Sequence, residues 1–278
     1  MKRSLLLLAV LAVSASVSAT PLIGRGAGTL KPMQFLAELD LGYSQTAKSW
    51  SWADGEWKDQ TDPQKVTTLS GTLIAGFAPL KRWEMLMMAP LASRSRDTLN
   101  SFGVGDIELQ TRYALLTGPK APFALTGAAA VAFPTADQDA RPLIGYGKFA
   151  GAAGLIGTKR FGSAITHLRA AYWLNGKTND TTRVGNMFEY VAKFDYDFTK
   201  TFQLWTSLVG TMRARTEVNG AVVEKTEQDR HIAQFGAVWK PVPILSVRPK
   251  VCLPLQALSR GGVIAPFTAG LAFWVIAQ

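Results

Sequence analysis

The sequence predicts an all-β fold: a closed antiparallel transmembrane β-barrel of about twelve strands, with short periplasmic turns and longer extracellular loops. Three observations carry that prediction. Polar and apolar residues alternate with period two in segment after segment. The connections between those segments are alternately short and long. The apolar parity runs through every segment, and no amphipathic helical pattern is available to cover such a sheet in water.

The alternation is clearest from Phe188 to Phe198. Phe188, Tyr190, Ala192, Phe194, Tyr196 and Phe198 occupy one parity, while Glu189, Lys193, Asp195 and Asp197 occupy the other. A strand sends successive side chains to opposite faces, so one face is apolar and the other charged. The same pattern puts Glu38 and Asp40 opposite Leu39 and Leu41. It puts Asp106, Glu108 and Arg112 opposite Ile107, Leu109 and Tyr113, and His167 and Arg169 opposite Leu168 and Ala170. Near the C-terminus it puts Arg248 and Lys250 opposite Val247 and Val251.

Twelve segments follow this rule, at 33–46, 65–78, 83–92, 103–116, 123–134, 147–160, 163–174, 186–198, 201–216, 228–240, 244–255 and 263–276. Each reaches the roughly 9–11 residues that a tilted strand needs to cross a bilayer. The connections Ala78–Trp83, Leu116–Phe123, Arg160–Ser163, Phe198–Thr201 and Lys240–Ile244 are tight. Trp50–Asp62, Ser93–Phe102, Pro134–Tyr146, Asn175–Gly185, Glu217–Glu227 and Gln256–Gly262 are longer and polar. An even strand number places both chain ends at the short-turn rim. Phe77, Trp83, Phe123, Phe161, Phe198, Phe202 and Trp239 gather at that rim, as aromatic rings do at a bilayer boundary. Charges are nearly absent from the apolar parity, where Lys159 near a strand end is the exception. A midplane Lys or Arg facing lipid costs about 2–4 kcal/mol.

Two features fit this pattern less easily. Pro249, Pro254 and Pro266 fall within predicted strands, where each removes a ladder donor and marks a bulge or a strand end. The segment from Phe123 has Ala124, Thr126, Ala128, Ala130 and Ala132 on its polar parity, a wall thinned for something bulky opposite.

Composition closes off other classes. The chain has 278 residues, of which 47% are hydrophobic and 18% charged, with one cysteine and two histidines. That apolar fraction excludes a disordered chain, and the Cys and His counts leave neither a disulfide framework nor a zinc site. No cofactor or metal is expected. Cys252 falls on the inward parity and reads as a small buried side chain. Lys2 and Arg3, the apolar Leu5–Val13 run and Val17-Ser18-Ala19 have the layout of a secretory signal peptide over 1–19. Residues 20–32 are then a periplasmic N-terminal segment, and 33–278 an outer-membrane barrel. The mature chain keeps 28 basic and 20 acidic residues, a net charge of +8.

The stretch Gly103-Val-Gly-Asp-Ile-Glu-Leu-Gln-Thr-Arg-Tyr-Ala-Leu-Leu116 resembles a hallmark strand of a bacterial outer-membrane transporter family linked to the meta-pathway of phenol degradation. Val131-Ala-Phe-Pro-Thr-Ala-Asp137, Gly145-Tyr-Gly-Lys-Phe149 and Lys159-Arg-Phe-Gly162 extend the resemblance in order. It implies a signal peptide, a barrel of about a dozen strands and an outer-membrane location, and carries over no catalytic or binding residue. Outer-membrane barrels usually end on an aromatic residue. This chain ends Phe273-Trp-Val-Ile-Ala-Gln278, so the signal for the barrel assembly machinery is displaced by four residues.

If the polar parity points inward, the bore is lined by Glu38, Asp40, Asp106, Glu108, Arg112, His167, Arg169, Glu189, Lys193, Asp195, Arg213, Arg248 and Lys250. These charges either pair into a ladder that fills the barrel or line a polar path, which Arg213, Arg215, Arg248 and Lys250 bias towards anions. Eight strands leave an interior that side chains fill and sixteen leave an aqueous channel, so twelve suits a narrow or gated path. The function expected is passive transport of a small solute, aromatic on the family resemblance alone, or anionic. The alternatives are a filled structural barrel acting through its loops and, from a third class, a lipid-hydrolysing barrel. Against the third, no Gly-x-Ser-x-Gly elbow occurs, His167, Ser207 and Ser246 lie on the inward parity, and only His231 faces outward. The expected partners are outer-membrane lipids, and lipopolysaccharide at Arg94, Arg96, Arg141, Lys177 and Arg183 of the outer loops. The bases are interleaved with acids and form no aromatic-basic groove, so nucleic acid is not a partner.

Overall fold

A computed structural model describes residues 26–118, 121–178 and 181–277; the expected signal peptide lies outside these. Twelve strands form one antiparallel ring: β1 (Phe35–Gln45), β2 (Thr67–Leu80), β3 (Trp83–Arg96), β4 (Leu99–Val104 and Ile107–Leu116), β5 (Ala124–Phe133), β6 (Ala150–Phe161), β7 (Ala164–Asn175), β8 (Met187–Asp197), β9 (Phe202–Arg213), β10 (Gln228–Val242), β11 (Leu245–Pro254) and β12 (Thr268–Ala277). Each pairs with its neighbour in sequence. The ring closes where β1 pairs with β12, from Phe35 opposite Ala277 to Ser44 opposite Thr268. Closure leaves no strand edge, which a sheet in hydrocarbon requires.

The outer surface is apolar on every strand. Leu39, Leu73, Met87, Leu109, Val131, Leu155, Leu168, Phe194, Leu204, Phe235, Val251 and Val275, one from each strand in order, are all at least 38% exposed. Phe35 and Phe77 stack at 4.7 Å, and Phe198 packs against Tyr196 and Phe202 at 4.9 and 6.2 Å, all near the short turns. Lys159 lies outside, with its ammonium 5.0 Å from the Phe161 ring at the same rim. A long stem lets such a charge reach the interface.

The structure departs from the sequence reading in β3 and β4. The connection expected at Ser93–Phe102 is a tight hairpin, with Arg96 opposite Leu99 and Asp97 at φ 52°. Arg94 and Arg96 therefore belong to a strand. Strand β4 is broken at Gly105 and Asp106, beside Pro90 of β3. Proline has no N–H for the ladder, so regular pairing stops there, and the Gly105 amide reaches Pro90 O at 2.7 Å. Pro249 stays within β11, on the exposed face. At the long-loop rim, Lys48–Ser51 pairs with both Glu56–Asp59 and Val263–Ile264.

Residues 26–32, the described part of the segment expected as a periplasmic N-terminal extension, turn back into the bore. Ala27 is buried with Ala128, Ala130, Ile156 and Trp173, and Leu30 with Leu36, Leu86 and Trp274. The small inward residues of β5 are thus matched by this backbone and by the Trp173 indole.

Candidate functional site

Two parts of the chain outside the wall enter the bore, at two heights. In the short-turn half the inserted segment is held through its main chain. Ala27 N–H donates to Thr158 Oγ1 at 2.7 Å, and Leu30 N–H donates to Glu84 Oε2 at 2.8 Å. Thr126 Oγ1 donates to Ala27 O, and the Arg112 guanidinium donates to Gly26 O. Arg112 also pairs with Glu84 at 3.2 Å, both side chains being buried. The contacts of the inserted segment join residues 54 to 131 positions apart, so no local pattern announces them.

Beside this segment runs a polar chain across three strands. Thr158 Oγ1 meets His167 Nδ1 at 2.8 Å, His167 Nε2 meets Asp195 Oδ2 at 2.9 Å, and Lys193 Nζ meets Asp195 Oδ1 at 2.7 Å. Its hydroxyl–imidazole–carboxylate order is that of a nucleophilic triad. The Thr158 hydroxyl, however, already accepts the Ala27 amide, and Gly26 packs so closely that a Cβ there would lie 2.4 Å from the imidazole. The chain therefore anchors the inserted segment.

Higher in the bore the remaining inward charges are largely paired. Arg169 meets Glu189 at 3.4 Å, and the Trp173 indole donates to the same carboxylate at 3.3 Å. Gln110 donates to Glu108 at 2.7 Å. Lys250 pairs with Asp40, the Arg248 guanidinium lies 3.1 Å from the centre of the Trp274 ring, and Glu38 faces Trp274 across the closing seam. The ladder that the alternating charges suggested is therefore present, although a ladder alone does not obstruct the bore.

In the long-loop half the 134–149 connection crosses the interior. At one wall, β3 and β4 hold it: Arg94 donates to Leu143 O, Ser101 Oγ donates to Pro142 O at 2.6 Å, and Asp106 accepts the amides of Tyr146 at 2.9 Å and Gly147 at 3.1 Å. At β9, Arg213 donates to the Tyr146 hydroxyl at 2.8 Å. In a ring of twelve, β3 and β9 lie opposite each other, so the connection is a bridge across the barrel. Lys148 follows it inward, with its ammonium 4.5 Å above the Tyr146 ring. Burial and the facing Arg213 charge pull Lys148 down to about 7, with Asp106 opposing.

Of the side chains expected at the bore, Glu38, Glu108, Arg112, Arg169, Glu189 and Asp195 are at most 9% exposed, and His231, on the opposite parity of its strand, has Nδ1 2.8 Å from the Tyr190 hydroxyl. Arg94, expected on an outer loop, is 1% exposed within the bore. Continuing the parity of Glu84 and Met88 past Pro90 leads to it. Gly26, Ala27 and Tyr146 carry no such signal, because residues that fill a barrel need no periodicity, and Lys148 falls in the segment expected as a strand over 147–160, whose strand begins only at Ala150.

No family model and no curated protein matches the sequence. The fold is similar to that of the COG4313 outer membrane channel from Pseudomonas putida F1, with a TM-score of 0.79 at 13% identity over 90% of this chain and 97% of that one. It is also similar to the NanC porin, with a TM-score of 0.53 at 9% identity over 86% of this chain and 98% of that one. At such identities the likeness is one of fold, and with the apolar exterior it defines the class: a closed, twelve-stranded barrel of the outer-membrane type.

Proposed function

We propose that this chain is a passive outer-membrane channel for small solutes, held here in a closed state. The observation that carries this reading is what obstructs the bore. The obstruction comes from residues 26–30 and from the 134–149 bridge, neither of which is part of the wall. Beneath the inserted segment the wall is lined by small side chains, including Ala128 and Ala130. Moving the segment would open a path without unpairing a strand. The segment is held by a few hydrogen bonds worth about 1 kcal/mol each, whereas the ring is held by its whole ladder.

The apolar exterior supports an outer-membrane location, because a continuous apolar belt fits a bilayer. Export by the 1–19 signal, insertion by the barrel assembly machinery and contact of the outer loops with lipopolysaccharide belong to the same reading. So does the link to phenol degradation, which rests on sequence resemblance. The test is conductance of the purified chain in planar bilayers, beside a variant lacking residues 26–30. The expected result is a small basal conductance that rises several-fold in the deletion. Silence of both proteins overturns the proposal and favours a second reading, a filled structural barrel, which the internal ion pairs support.

A further inference from the structure

Four cations gather at the 134–149 bridge. Arg94, Lys148, Arg213 and Arg230 surround Tyr146. Lys148 lies over its ring, Arg213 bonds its hydroxyl, and Arg94 and Arg230 act on it electrostatically. Arg230 pairs in register with Thr211, diagonally next to Arg213 on the inward face. Asp106 accepts the amides of Ala136, Tyr146 and Gly147, and Glu189, diagonal to Arg213 across the β8–β9 register, is taken by Arg169 and Trp173. Arg94 is almost fully buried, and its Nε and Nη2 find no hydrogen-bond partner among the described residues. A buried guanidinium with idle donors is costly, and an oxyanion is the group whose geometry matches them.

We propose that Arg94, Lys148, Arg213 and Arg230 form a binding site for a small oxyanion, a carboxylate or a phosphate, at the bridge. The passage of that anion through the barrel rests on the channel reading, but its binding does not. The site lies between opposite walls, in the long-loop half of the barrel. Its cations come from β3, β9, β10 and the bridge, so it exists only when the bridge is folded inward. The Lys148 ammonium, drawn towards neutrality by burial beside Arg213, would regain a counter-charge from the bound anion.

The experiment uses the full chain in detergent and has two calorimetric arms, one with inorganic phosphate and one with benzoate. Binding in either arm, weakened about tenfold by Arg213→Gln and by Lys148→Met, supports the site. The arm with the tighter binding names the anion. Lys148→Met lies outside the barrel strands and keeps the test open if Arg213→Gln fails to fold. Lys58→Gln on an outer loop serves as the control and is expected to bind as the wild type does. No binding in either arm, or equal binding by wild type and Lys148→Met, overturns the site. In bilayers, reversal potentials under a salt gradient should show anion selectivity that falls in Lys148→Met. Cation selectivity overturns the site. Absence of any current with binding intact overturns the channel reading alone and leaves the site standing.

Discussion

Gly26 lies against His167 so closely that a Cβ on the glycine would sit 2.4 Å from both Cε1 and Nδ1 of the imidazole. The ring cannot easily yield, because Thr158 holds one nitrogen at 2.8 Å and Asp195 the other at 2.9 Å. The absence of a side chain at residue 26 is thus what lets the inserted segment rest on the wall.

Gly26→Val should therefore lift that segment. Overpacking of this kind costs about 1–3 kcal/mol, comparable to the hydrogen bonds that hold the segment. The barrel itself is untouched, so single-channel recording should show a conductance above that of the wild type with an unchanged thermal unfolding midpoint. A conductance equal to the wild type would mean that the segment does not gate the bore.

The Glu84–Arg112 pair is buried where Leu30 N–H and Gly26 O meet it. Arg112→Met removes one partner of that buried pair, a change that costs about 3–5 kcal/mol. The unfolding midpoint in detergent should fall accordingly. The double variant Glu84→Leu with Arg112→Met should recover most of that loss, since replacing both partners removes both charges. Equal destabilisation by the single and double variants would show that the pair's worth lies in its contacts with the inserted segment.

Leu168 of β7 is 60% exposed on the outer face. Leu168→Arg should destabilise the barrel by about 2–4 kcal/mol when folding is titrated with denaturant in lipid vesicles. Near the rim, Lys159→Leu should change little. If Leu168→Arg were neutral in vesicles, the outer face would not contact hydrocarbon.

Lys148 titrates at about 7 in the wild type, so it is charged at pH 6 and neutral at pH 8.5. The groups facing it and its neighbour Tyr146 are Asp106, Arg94, Arg213 and Arg230. The arginines keep their charge across that range. Oxyanion affinity measured by calorimetry should therefore fall as pH rises through 7, and Lys148→Met should abolish most of that dependence. A steeper loss on the acidic side would assign the titration to another group.

The strands were legible because period two is a local property: an inward Glu189 and an outward Phe188 are adjacent in the chain, and their faces follow from backbone geometry. For the same reason the inward parity of Glu38, Arg112, Lys193 and Lys250 could be read, as could the thinned wall of β5. The strand ends were less legible. Pro90 interrupts the pattern, so Arg94 appeared to lie in a loop, when the hairpin at Asp97 carries it into the bore.

By itself, then, the sequence determined a closed ring with one face for lipid and one for water, since alternating side chains and strand length depend on neighbours a few residues away. Only the tertiary structure decided what occupies the ring. The Ala27–Thr158 contact joins positions 131 residues apart, and the Arg213–Tyr146 contact joins positions 67 apart. Segments that fill a cavity are selected by the shape and the donors of its wall, and such complementarity leaves no periodic trace in the chain.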